Sequence, residues 1–129
     1  MKALISKLTF FLPAIIWGLI IAYLSGNPGI QLPPSFWDFL AIDKIGHLIF
    51  YGIFTCLIAY GFYQKENQQM GKLMLIIALI ISSFYGIGME LMQYLFFPNR
   101  YFEILDIIAN ISGSLIGILF FKYIYYKTR

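Results

Sequence analysis

The chain has 129 residues, of which 60% are hydrophobic and 12% charged, with a formal net charge of +3 and a mean hydropathy of +0.79. Too little polar surface is present to cover a water-soluble fold of this size, so the chain belongs in a bilayer. The basic excess follows from membrane topology, as set out below, and calls for no nucleic-acid partner.

The first apolar segment, Leu8 to Leu24, follows Lys2 and Lys7. That arrangement is shared with signal peptides, but Ala22-Tyr23-Leu24-Ser25-Gly26 offers no clean small-x-small cleavage site, and the segment is read as a retained helix. Pro13 is expected to kink it or to mark its start. With no charge past Lys7, this helix is expected to support the bundle without contributing to a site. The break from Ser25 to Pro34 is rich in turn formers and runs on into Ser35-Phe36-Trp37-Asp38-Phe39. Its aromatic content suits a partly ordered lid lying on the membrane.

The second segment, Ile45 to Tyr63, is led in by Asp43 and Lys44. Asp43, His47 and Tyr51 follow at i, i+4 and i+8, so they share one helix face and step down by about 6 Å each. Cys56 has no partner cysteine, which leaves packing as its expected role. A polar turn containing Lys65 and Lys72 leads to the third segment, Leu73 to Phe97, in which Glu90 lies about 10 Å below the far end and Gln93 one turn nearer to it. Pro98 to Glu103, including Arg100, forms a connection short enough to make the third and fourth segments antiparallel neighbours. The fourth segment, Leu105 to Tyr126, repeats the i, i+4 spacing with Asp106 and Asn110. Gly113 and Gly117 then form a GxxxG expected to pack against the second or third segment.

Each segment is close to the roughly 20 residues that a ~30 Å hydrocarbon core demands, and none alternates with the period of a membrane strand. The expected fold is all-α: a polytopic four-helix membrane bundle, with residues 1–129 forming one domain. Lys2, Lys7, Lys65, Lys72, Lys122, Lys127 and Arg129 cluster at the ends of the segments opposite Asp43 and Glu90. By the positive-inside rule, both termini are expected to be cytoplasmic, the protein multi-pass in the cell membrane, and the acidic end of the bundle external.

Three segments thereby bring carboxylates, an imidazole, a phenol and amides to one layer, where only side chains pointing into the bundle escape lipid. A central ionised residue costs ~2.5–3.5 kcal/mol on insertion scales, so Glu90 offsets roughly six Leu, Ile or Phe residues. The expected ligand-binding set is Asp43, Lys44, His47, Tyr51, Glu90, Gln93, Arg100, Asp106 and Asn110.

The runs Asp43-Lys44-Ile45-Gly46-His47-Leu48-Ile49-Phe50-Tyr51, Gly86-Ile87-Gly88-Met89-Glu90-Leu91-Met92-Gln93, Asn99-Arg100 and Asp106-Ile107-Ile108-Ala109-Asn110-Ile111-Ser112-Gly113 carry a family resemblance. They are similar to the DKxxHxxxY, GxxxExxQ, R and DxxANxxG blocks of the VanZ-like membrane proteins, in the same order. The likeness runs from about Asp43 to Gly117. It departs from the family at Tyr101, where Ser or Thr commonly follows the Arg. The resemblance implies a cell-envelope role and, through the founding member, an association with teicoplanin resistance; it does not supply a reaction.

Three classes of function compete for these residues. In the first, Arg100 and Lys44 hold the phosphate of a membrane lipid, a lipid-linked cell-wall precursor or a lipidated glycopeptide, while Gln93, Asn110 and Tyr51 hydrogen-bond to it. In the second, His47, Glu90 and Asp106 perform acid-base chemistry or hold a metal that activates water. Ser82, Ser83 and Cys56 lie too deep to supply an obvious nucleophile, and no tight metal-ligand spacing occurs, so neither a cofactor nor a metal is expected. In the third, the polar groups only fix the packing of the helices.

Overall fold

A computed structural model of the chain describes residues 7–27, 36–69, 71–98 and 100–128. A 3-10 turn at Thr9–Phe11 leads into α1 (Leu12–Gly26), followed by α2 (Phe36–Lys65), α3 (Lys72–Phe96) and α4 (Ile104–Lys127). Four stretches are long and apolar enough to cross a membrane: the 3-10 turn with α1 (Thr9–Gly26), and Ile42–Lys65, Lys72–Phe96 and Ile104–Tyr125 within α2, α3 and α4. The described residues contain no strand, and the fold is an all-α, four-helix membrane type.

Pro13 stands in the first turn of α1 and so marks its start, where its missing N–H would have no intrahelical partner anyway. The largest departure from the sequence-based boundaries is at α2, which begins at Phe36. Nothing after Pro34 breaks a helix, and Asp38, Asp43 and Lys44 lower the local hydropathy without interrupting the backbone, so helix and apolar run have different beginnings. Phe36 to Phe39 are therefore the first turn of α2, not part of a lid. At its other end Ser25 and Gly26 close α1, and the remainder of the expected lid, from Pro28 to Ser35, lies outside the described residues, as do Lys2, Asn99 and Arg129.

Helix α2 lies chiefly against α4, and the two run parallel. Rising residue numbers on one meet rising numbers on the other: Lys44 pairs with Asp106, His47 with Asn110, and the Cys56 thiol donates to the Gly117 carbonyl at 3.1 Å. Glycine makes this approach possible. A Cβ on Gly113 would run into the backbone of Leu48, and one on Gly117 into that of Gly52. The Gly113/Gly117 pair thus packs on α2 within the chain, as small-xxx-small surfaces do between membrane helices.

Helix α3 is antiparallel to both, joined to α4 by a turn in which the Phe97 N–H donates to the Gln93 carbonyl and the Asp106 N–H to that of Glu103. Deep in the bundle, the hydroxyls of Ser82 and Ser114 meet at 2.8 Å. Helix α1 closes the remaining side through Trp17 Nε1, which donates to the Phe50 carbonyl at 3.0 Å, and the Tyr85 hydroxyl, which donates to that of Gly18 at 2.6 Å. The buried apolar core includes Ile21, Phe54, Ile58, Ala78 and Met89. Large apolar side chains such as Leu19, Phe84 and Leu119 face outward from mid-helix, the arrangement expected where acyl chains take the place of water.

Candidate functional site

The C-terminal ends of α1 and α3 and the N-terminal ends of α2 and α4 meet at one end of the bundle, and the polar side chains gather there. Lys44, on the first part of α2, extends its ammonium into three carboxylates: Asp43 Oδ2 at 3.2 Å, Glu103 Oε2 at 2.8 Å, and Asp106 Oδ1 in close contact. The sequence puts them there because Glu103 and Asp106 stand three residues apart around the start of α4, so both carboxylates project from the same end. Glu103 was not among the expected site residues. Its spacing from Asp106 was the available signal.

One turn further along α2, His47 Nδ1 and Asn110 Oδ1 are 2.8 Å apart. A carbonyl oxygen only accepts, so Nδ1 carries the proton and Nε2 faces the other way. There it looks onto Asp43 Oδ1 at 3.8 Å and Asp106 Oδ2 at 3.7 Å, too far for hydrogen bonds. Asp43 and Asp106 therefore each give one carboxylate oxygen to Lys44 and present the other to His47. Tyr51 continues the face, its ring stacked parallel to His47 at 6.4 Å between centroids and almost fully buried.

Helix α3 supplies Glu90 and Gln93, both buried. The Glu90 carboxylate lies near the backbone N–H of Glu103 and within electrostatic reach of Asp106, His47 and Glu103. Gln93 turns toward α1, its Nε2 donating to the Ser25 carbonyl at 2.9 Å. Gly86, one turn deeper than Glu90, makes room for α2 and α4: a Cβ there would lie 3.0 Å from both Asn110 Nδ2 and Tyr51 Cε1. Asn110 is 1% exposed, and its Nδ2 has no hydrogen-bond partner among the described residues.

All nine expected residues thus lie at one end of the bundle, in two groups. Asp43, Lys44, His47, Asp106 and Asn110 form the continuous α2–α4 network, with Tyr51 beneath and Glu90 behind it. Gln93 and Arg100 stand toward α1, where a cleft of about 510 Å³ opens between apolar residues such as Ile21, Leu24 and Phe50 and the polar groups of Asp43, His47, Tyr51, Gln93 and Arg100. The cleft reaches His47, and Glu90 is not in its lining. Two expectations change here. Lys44 is engaged by three carboxylates and is not available as a phosphate holder, because an acidic neighbour three residues before Asp106 adds to its partners. Helix α1 does contribute, through the Ser25 carbonyl and the cleft wall, because its uncharged end still offers backbone acceptors.

The nucleophile candidates stay remote. Ser82 is bonded to Ser114, Cys56 to the Gly117 carbonyl, and the partners of His47 are Asn110, Asp43 and Asp106. Of the carboxylate and imidazole groups that could hold a metal, the trio His47, Glu90 and Asp106 weighed above is not the one that converges among the described residues. Asp43, His47 and Asp106 do, with one potential ligand atom from each within 4.8 Å of the others.

No solved structure matches the chain. It is similar to Uncharacterized protein C11E3.10 of Schizosaccharomyces pombe, at 28% identity over 111 residues that cover 86% of this chain and 60% of that protein's length. The sequence profile of the VanZ/LLP1 family matches residues 3–125, which takes in α1 as well as the three helices that carry the polar blocks. With nearly its whole length matched and four helices able to cross a bilayer, the chain belongs to the VanZ/LLP1 family and is a multi-pass membrane protein of the VanZ type.

Proposed function

We propose that this protein acts in the cell membrane by holding the polar headgroup of a lipid or glycolipid, a class that includes lipid-linked cell-wall precursors and lipidated glycopeptides such as teicoplanin. The observation that carries the reading is the cleft between α1, α2 and α3, in which apolar walls adjoin a polar floor. Its volume of about 510 Å³ is within the usual range for small-molecule sites. Apolar walls suit the start of an acyl chain and the polar floor suits a headgroup. Arg100, exposed on the lining, has no side-chain partner among the described residues, leaving its planar guanidinium available for bidentate contact with a phosphate. The likeness to a fission-yeast protein favours a ligand class common to many membranes over one particular antibiotic.

Native mass spectrometry of the purified protein and its Arg100→Ala variant tests the reading. A defined phosphorylated or glycosylated lipid retained by the parent and lost by the variant is the expected result. The same unspecific lipid mixture on both, or none on either, would remove it.

The Lys44 cluster favours a second role beside the first. One ammonium shared by Asp43 on α2 with Glu103 and Asp106 at the start of α4 ties the two helices in register, the use of buried polar groups that is best attested between packed helices.

A further inference from the structure

We propose that Asp43, His47 and Asp106 form a binding site for a first-row divalent cation such as Zn2+ or Mn2+, and that this cation supplies the phosphate affinity which Lys44 cannot. The first half stands on the geometry alone; the second rests on the headgroup reading above.

His47 carries the argument. Its Nδ1 proton is directed to the Asn110 amide oxygen, so Nε2 is the ring atom left to face Asp43 Oδ1 and Asp106 Oδ2, at 3.8 and 3.7 Å. An ion between these atoms would take the lone pair of the neutral imidazole and one oxygen from each carboxylate. Bonds of ~2.0–2.2 Å to a tetrahedral ion would separate its ligands by about 3.4 Å, so each aspartate oxygen needs to close on Nε2 by only a few tenths of an ångström, and one potential ligand atom from each of the three residues already lies within 4.8 Å of the others. Imidazole together with carboxylates is a donor set suited to Zn2+ and Mn2+.

The surroundings resemble a prepared outer shell. A metal-bound histidine usually donates its other N–H to a carbonyl or carboxylate, which fixes its tautomer and ring orientation. Asn110 does this for His47. Lys44 holds Asp43 by Oδ2 and Asp106 by Oδ1, so that the remaining oxygen of each is the one turned toward His47.

The balance of acidic and basic groups also points to a cation. With all four carboxyls ionised, Asp43, Glu90, Glu103 and Asp106 outnumber Lys44 and the Arg100 of the cleft lining by two. An anionic headgroup alone would deepen that imbalance. A divalent cation removes it and offers an open coordination position toward the cleft that Asp43 and His47 line.

The test uses the full chain in detergent, stripped with a chelator, dialysed, and reloaded with Zn2+ or Mn2+ alone. Elemental analysis should give one ion per chain, and Mn2+ electron paramagnetic resonance should show coupling to a nitrogen that disappears in His47→Ala. Asp43→Asn, at a half-exposed position that can still accept from Lys44, should weaken binding by roughly tenfold or more, and Asn110→Ala by roughly tenfold. Glu66→Gln, in the polar turn after α2, should leave binding unchanged. A stripped parent that takes up no stoichiometric ion, or His47→Ala and Asp43→Asn variants that bind as the parent does, would overturn the site. If His47→Ala does not fold, Asp43→Asn decides.

Lipid retention before and after chelation separates the two halves. Loss of the lipid with the metal supports the bridge. A lipid kept after complete metal removal overturns the bridge while leaving the metal site standing. Arg100-dependent lipid on a protein that binds no metal overturns this proposal and leaves the headgroup reading intact.

Discussion

At Lys44, a single ammonium serves three carboxylates, with its side chain 19% exposed. Replacing it by Met would keep the stem and strand the acids, and breaking a buried pair in this way costs about 3–5 kcal/mol. Asp43 and Glu103 retain access to water, which screens their share and places the expected loss nearer the lower figure. Thermal unfolding in detergent should therefore show Lys44→Met clearly destabilised and Lys44→Arg much less so. A Met variant as stable as the parent would mean that the cluster does not tie α2 to α4. The pairing of Lys44 with Asp106 could not be read from the chain, because their separation of 62 positions becomes proximity only when α2 and α4 run parallel. The Asp43, His47 and Tyr51 face needed only the helix repeat, and it was legible.

At the level of the helices, close approach is decided at a few glycines, and their consequences differ in sign. A Cβ at Gly113 meets the backbone of Leu48, which cannot swing aside as a side chain can, so Gly113→Ala should cost about 1–3 kcal/mol through overpacking. Gly88 has nothing within 4 Å of the corresponding position, and Gly88→Ala should be neutral or stabilise by about 0.5–1 kcal/mol through the helix-interior preference for alanine. Unfolding midpoints of the two variants, measured side by side, check both statements. The same destabilisation in both would point to a general intolerance of α3 and α4 to substitution and remove the close-approach argument. The GxxxG spacing was visible in the sequence. That Gly52 on the partner helix faces it was not, since a lone glycine carries no spacing signal.

For the whole molecule, the polar end and the basic end are opposite. Lys65, Lys72, Lys122 and Lys127 lie at the far ends of their helices from Lys44 and Asp106, and the positive-inside rule predicts that this basic end faces the cytoplasm. The site would then open to the outer leaflet. Single cysteines at Tyr101 and Gln69, on a Cys56→Ala background, give the measurement. A membrane-impermeant thiol reagent should label Tyr101→Cys in intact cells and Gln69→Cys only after permeabilisation. The reverse pattern would turn the cleft toward the cytoplasm and exclude cell-surface precursors as its ligands.

Number and approximate extent of the helices followed from hydropathy, because lipid leaves a long apolar run no alternative to a helix. The register of polar groups along each helix followed from the 3.6-residue repeat, so the shared faces of Asp43 with His47 and of Asp106 with Asn110 were legible residue by residue. The start of α2 was not, since backbone continuity through Asp38 and Asp43 leaves no trace in hydropathy. Which partner each polar group takes depends on how four similar cylinders are arranged around one another, and that is settled by packing at Gly52, Gly86, Gly113 and Gly117. Only that arrangement commits Lys44 to three carboxylates, turns Gln93 onto the Ser25 carbonyl of α1, and leaves His47 Nε2 between two aspartates.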